Sequence, residues 1–186
     1  MKTPLYHRLP PQTQRLWFAM TASLAILLTL LFGLIDAPLQ TPSAPTGIVS
    51  LELAGDSATA GRILREWGAG GLLLAAFGLG LDYLYMVAYG LAIALGCRLV
   101  AQGSRSLWLA RAGQILAWAL VFAVAADAVE NYALMRVLLG ASEPLWPLLA
   151  RVCALVKFTL VGAGLLYVAM GTIRWLLARL LKTQEI

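Results

Sequence analysis

Two carboxylates and an amide stand one helical turn apart where little else is polar. Asp127, Glu130 and Asn131 interrupt a run of Ala, Val, Leu, Phe and Trp that extends from Leu107 to Leu139. At i, i+3 and i+4 they share one helical face. Such a face can act as general acid and base, hold a cation, or serve as counter-charge to an ammonium ligand. Asp82 repeats the theme in an earlier apolar run, with Tyr85 and Tyr89 at i+3 and i+7, so that a carboxylate and two phenols lie in line. Lys157 supplies an opposite charge deep inside a later run. Three acids against one ammonium leave a formal charge of minus two, which low-dielectric surroundings tolerate only with protonation, a bound cation or access to water.

Other chemistries find few residues. His7 is the one histidine, and Cys97 and Cys153 form no CxxC pair, so zinc, copper, haem and thiol-redox sites lack ligands. An all-oxygen set of Asp82, Asp127, Glu130 and Asn131 would suit magnesium, calcium or manganese. Lys157 already brings positive charge to that set, so neither a metal nor a cofactor is expected. No GxSxG elbow, phosphate-cradling loop or cysteine–histidine pair is present. The net charge of +5 belongs to basic residues beside apolar runs rather than to a face interleaved with aromatics, which argues for lipid and against nucleic acid.

The elements that must position these residues follow from composition. With 61% hydrophobic residues, 12% charged and a mean hydropathy of +0.81, the chain has the make-up of an integral membrane protein. Apolar runs at about 16–35, 71–97, 107–139 and 148–181 each reach the ~20 residues that cross a hydrocarbon core. The expected fold is therefore all-α, a single four-helix membrane bundle over residues 1–186, with the first run retained as a helix rather than cleaved as a signal peptide. Residues 36–70 form the one long loop. Pro38, Pro42 and Pro45 keep its first part extended, and Asp56 can then cap a short helix. Ala60, Ile63, Leu64 and Trp67 make one apolar stripe of that helix, suited to lying in the interface or, as Ile63, Leu64 and Trp67, to acting as a lid over a cavity.

Orientation comes from lysine and arginine. The amino-terminal tail (Lys2, Arg8, Arg15), the 98–111 link and the carboxyl-terminal tail (Arg174, Arg179, Lys182) are basic, whereas the long loop sets Asp36, Glu52, Asp56 and Glu66 against Arg62 and Arg65. Both termini are therefore expected in the cytoplasm, in a plasma (inner) membrane, with Arg136 and Arg151 as exceptions on the outer side. In that topology Asp82, Asp127, Glu130 and Lys157 fall about 10 to 13 residues from the outer helix ends, a common depth of roughly 15 to 20 Å at ~1.5 Å per residue. Cys97 and Cys153 come near opposite membrane surfaces, too far apart for a disulfide. Gly78, Gly80, Gly90 and Gly96 permit close helix approach, within the chain or between copies.

Four helices with acids buried among them resemble the emopamil-binding-protein and sigma-2-receptor group. The likeness is one of architecture and covers no continuous motif, so it assigns no residue. It implies a pocket for sterol-like or cationic amphiphilic molecules. The reading is a protein that binds or transports a small amphiphilic, lipid-like or cationic ligand in an acidic pocket of the outer half, lined by Asp82, Tyr85, Asp127, Glu130, Asn131 and Lys157. Membrane lipids are its expected partners. Two rivals stand beside it: an intramembrane lipid-modifying enzyme using paired carboxylates as acid and base, and a structural or accessory subunit whose polar layer only specifies packing.

Overall fold

The computed structural model describes residues 10–183; the basic tail with Lys2, His7 and Arg8 lies outside them, as do the side chains of Arg179 and Lys182. The described residues are mostly helical, without β-strands: α1 (Pro11–Asp36), α2 (Ile48–Glu52), α3 (Ser57–Gly103), α4 (Leu107–Leu138) and α5 (Leu145–Thr183), with a 3-10 turn at Ala37–Leu39. Four of them, α1, α3, α4 and α5, are long and apolar enough to cross a membrane, consistent with a multi-pass membrane protein. Helix is the form that apolar surroundings demand, because it satisfies every backbone group within the segment. Large side chains such as Leu30, Leu34, Ile115, Phe122 and Leu166 point outward, a density of exposed apolar surface that water would not tolerate.

Local chemistry sets the helix ends. Pro11 occupies the first position of α1, where its missing N–H is no loss. Asp56 caps α3, its Oδ1 accepting from the Thr59 N–H at 2.8 Å. At the end of α4, Gly140 takes φ +86°. Its N–H bonds the Val137 carbonyl and that of Ala141 bonds the Arg136 carbonyl, both at 3.0 Å, the paired closure of a Schellman turn.

α3 departs from the expected span in two ways. It runs through Arg98 to Gly103, so the link to α4 shortens to three residues, and Arg98 is buried rather than part of an exposed loop. At its other end the Asp56-capped segment joins the span directly, broken at Gly68 with φ +57°. The resulting arm, residues 57–67, turns Ile63 and Trp67 inward rather than toward the surroundings. Both are buried, and the indole N–H of Trp67 donates to the Leu39 carbonyl at 2.7 Å.

The loop before this arm is compact instead of extended. Thr41 and Ala44 exchange backbone hydrogen bonds of 3.1 and 2.9 Å, and exposed Glu66 accepts from both the N–H and the hydroxyl of Ser43. Buried Leu39, Ala44 and Leu51 supply the apolar anchor that the proline-rich composition concealed. The two arginines that seemed misplaced on this side are also occupied. Arg136 lies over the Trp146 ring, and Arg151 packs against Gly55.

α3 is the central helix, in contact with α1, α4 and α5, whereas α1 and α5 scarcely touch. Small residues account for the close contacts. A methyl group at Gly90 would collide with Val124, at Gly113 with Tyr167, and at Gly164 with Ile93. Gly96 likewise faces Val168 and Phe18, so these glycines serve packing within the chain, while Gly80 faces open space.

Candidate functional site

Lys157 of α5 organises the polar layer. Its Nζ donates to Asp127 Oδ1 at 3.0 Å and to Glu130 Oε1 at 2.9 Å, both on α4. Asp127 and Glu130 are 1% and 0% exposed, so this ammonium compensates charges that water cannot reach. The second Asp127 oxygen accepts a 2.6 Å hydrogen bond from the Tyr89 hydroxyl. Asn131 donates to Asp82 Oδ2 at 2.6 Å, which ties α4 to α3. The expected face of α4 therefore exists: Asp127 and Glu130 share Lys157, and Asn131 turns to Asp82.

One member of the cluster was not expected. Glu52 closes α2 in the long loop, and its Oε2 lies 3.6 Å from Lys157 Nζ, an ion-pair distance beyond hydrogen-bonding range. The residue is buried, and it shares Lys157 with Glu130. One oxygen of each, Glu52 Oε2 and Glu130 Oε2, is enclosed without a hydrogen-bond partner among the described residues. Burial pushes the Glu52 carboxyl above its ordinary value, although the Lys157 charge pulls it down. With Asp82 the cluster contains four carboxyl groups around one ammonium, a formal minus three if all were ionised.

Beside this cluster lies a cavity of about 620 Å³. α1, α3 and α5 form its walls, and Leu39 with Ile48, Val49 and Glu52 of α2 forms its roof. Asp82, Tyr85, Tyr89, Asp127, Asn131, Lys157 and Glu52, with Thr29 and Asp36 of α1, bring the polar groups, and the rest of the wall is mostly aliphatic and aromatic. Ile26 of α1 and Phe158 and Leu165 of α5 belong to the lining yet are 63%, 40% and 52% exposed. They form the rim of a side opening between α1 and α5.

The expected site residues thus divide. Asp82, Tyr85, Asp127, Asn131 and Lys157 reach the cavity, whereas Glu130 stands behind them, enclosed by Lys157 and Glu52. Tyr85 bonds Thr29 of α1 at 3.0 Å, and it is Tyr89, one turn further along the same face, that meets a carboxylate. Ile63, Leu64 and Trp67 do not line the cavity. They pack beneath the loop, and Trp67 holds Leu39 in place from behind, so the covering element is α2.

The roof has its own fastenings. Asp36 at the end of α1 accepts from the Ile48 N–H at 2.7 Å, and any side chain at Gly47, where φ is +56°, would collide with that carboxylate. Cys97 and Cys153 are both free thiols. No family model, curated protein or solved structure matches this chain. The likeness to the emopamil-binding-protein group accordingly rests on helix number and buried acids alone.

Proposed function

We propose that the chain is a four-helix membrane bundle with both termini cytoplasmic, and that it binds a small amphiphile, cationic or lipid-like, in the cavity beneath α2. One observation carries this reading: an apolar chamber that opens sideways between two spanning helices and ends on a cluster with more carboxyl groups than ammonium groups. An amphiphile in the bilayer would enter through the α1–α5 opening, its chain against Ile26, Phe158 and Leu165, its head against Asp82 and Glu52. At about 30 Å³ for each water-sized group the cavity admits on the order of 20 heavy atoms, enough for one single-chain molecule.

The rival readings gain less. Glu130 does not line the cavity, so an acid and base formed by Asp127 and Glu130 would not both reach a lipid there. A purely structural layer is favoured by the pairing of Lys157 with its acids and of Asn131 with Asp82, but it leaves an acid-rich cavity wall, with Glu52 Oε2 and Glu130 Oε2 unbonded, without a use. Asp82→Asn separates these readings, because the amide keeps the shape and loses the charge. In nanodiscs the variant should bind dodecyltrimethylammonium at least tenfold more weakly, with an unchanged melting temperature. Undiminished affinity for that cation, or a wild-type protein that binds no amphiphile, would end the proposal.

A further inference from the structure

Glu52 is the one acid of the cluster carried by a loop element rather than by a spanning helix. Its Oε2 is enclosed without a hydrogen-bond donor, as is Oε2 of Glu130, the residue with which it shares Lys157. Two carboxylate oxygens in such a position repel, and a single proton between them removes the repulsion and gives both a hydrogen bond. Neither atom has a hydrogen-bond donor among the described residues: Lys157 stands 3.6 Å from Glu52 Oε2, beyond hydrogen-bonding range, because its closer contacts go to Asp127 Oδ1 and Glu130 Oε1. Glu52 also lines the cavity, so the same carboxyl faces whatever enters.

We infer that Glu52 holds, against Glu130, a proton that departs when an organic cation enters the cavity, making the site a cation–proton exchanger. The inference rests on the amphiphile-binding reading and deepens it. In the empty site the Glu52 O–H bond is intact and donates toward Glu130. On entry of a cation that bond breaks, the proton passes to water, and the carboxylate left behind becomes the counter-charge. The charge of the site is the same before and after, because the entering positive charge offsets the cost of ionising Glu52 among the other acids. The groups acting on Glu52 are Lys157 from α5, Asp127 and Glu130 from α4, and Asp82 from α3. Three of these four are acids, and an ionised Glu52 without a new cation would add a further negative charge to them. α2 itself carries no other titratable side chain, and Asp36 is engaged at its far end by the Ile48 N–H.

The test uses the full chain in nanodiscs and two probes of equal tail length, dodecyltrimethylammonium and dodecanol. The quaternary cation cannot titrate, so any proton released on its binding comes from the protein. Calorimetric titration in two buffers of different ionisation enthalpy should show roughly one proton released per bound cation and none for dodecanol. At saturating cation, Glu52→Gln should release none. Infrared difference spectra of the wild-type protein give a readout that needs no variant: the carbonyl band of a protonated carboxyl should disappear as the cation binds. Cation binding without proton release, release that persists in Glu52→Gln, or an unchanged carbonyl band would each overturn the exchange while leaving the binding site standing. If neither probe binds, the amphiphile reading itself falls, and the exchange falls with it.

Discussion

The two sides of α5 meet their neighbours in opposite ways. Toward α3 and α4 it presents Gly164, Gly171 and Ala154, and the helices close until Ile93, Leu120 and Val100 fill the space where a Cβ would be. Toward α1 it presents Phe158, Val161 and Leu165 across a gap. α1 leans on α3 instead, fastened by Gln14 to Gln102 and by Thr29 to Tyr85. The contrast shows how one set of apolar helices yields both a sealed core and a chamber. Small residues let backbones approach, and a helix whose polar fastenings go to a single neighbour leaves its other flank unfilled.

The largest effect should come from the sealed side. Lys157→Met strands Asp127 and Glu130 without their ammonium, and loss of one partner from a buried pair costs about 3–5 kcal/mol. Thermal unfolding in detergent should show a correspondingly large fall in melting temperature. An unchanged melting temperature would mean that the pairing contributes nothing to the core.

A smaller and more selective effect separates two glycines. At Gly164 a methyl group would sit 2.7 Å from Ile93 Cγ2 and 3.1 Å from Leu120 Cδ2, whereas at Gly33 it would meet nothing within 4 Å. Gly164→Ala should therefore destabilise by about 1–3 kcal/mol through overpacking, while Gly33→Ala should stay within about 0.5 kcal/mol. Equal losses would dissolve the distinction between core and gap.

The smallest effects belong to the loop above the gap, where two carboxyls should respond to pH with opposite sign. Burial raises Glu52, so the stability it gives α2 is present at low pH and lost as pH climbs through its folded value. The Thr59 N–H lowers Asp56, so its cap is complete above the ordinary aspartate value and lost as pH falls through its folded value. Hydrogen exchange corrected for intrinsic rates should find the amides of 48–52 loosening toward alkaline pH and those of 57–60 toward acid. A common direction for both would contradict the placement of Glu52.

These regions were not equally legible in the residues. Asp127, Glu130 and Lys157 announced themselves because a charge inside an apolar span is costly and has to be met by another. The shared depth of the charges followed from counting along each helix. Glu52 gave no such signal: in a loop that also holds Asp36, Asp56 and Glu66, a carboxylate is ordinary, and only the fold of α2 carries it inward. Tyr85 and Tyr89 were equivalent by spacing, and the choice between them depends on how α1 and α4 approach α3. The chamber itself follows from the near absence of contact between α1 and α5, which no periodicity within one helix reports.

The position of Lys157 in the last helix has a consequence for biogenesis. A chain made from its amino terminus delivers Asp127 and Glu130 before the residue that neutralises them. Alone, α4 would bring two uncompensated acids into the bilayer, so α4 and α5 should enter together as a hairpin, aided by the short Schellman-closed turn at Gly140. A chain cut before Leu145 should leave α4 outside the membrane in a glycosylation-mapping assay, and stable crossing by α4 alone would refute this order of events.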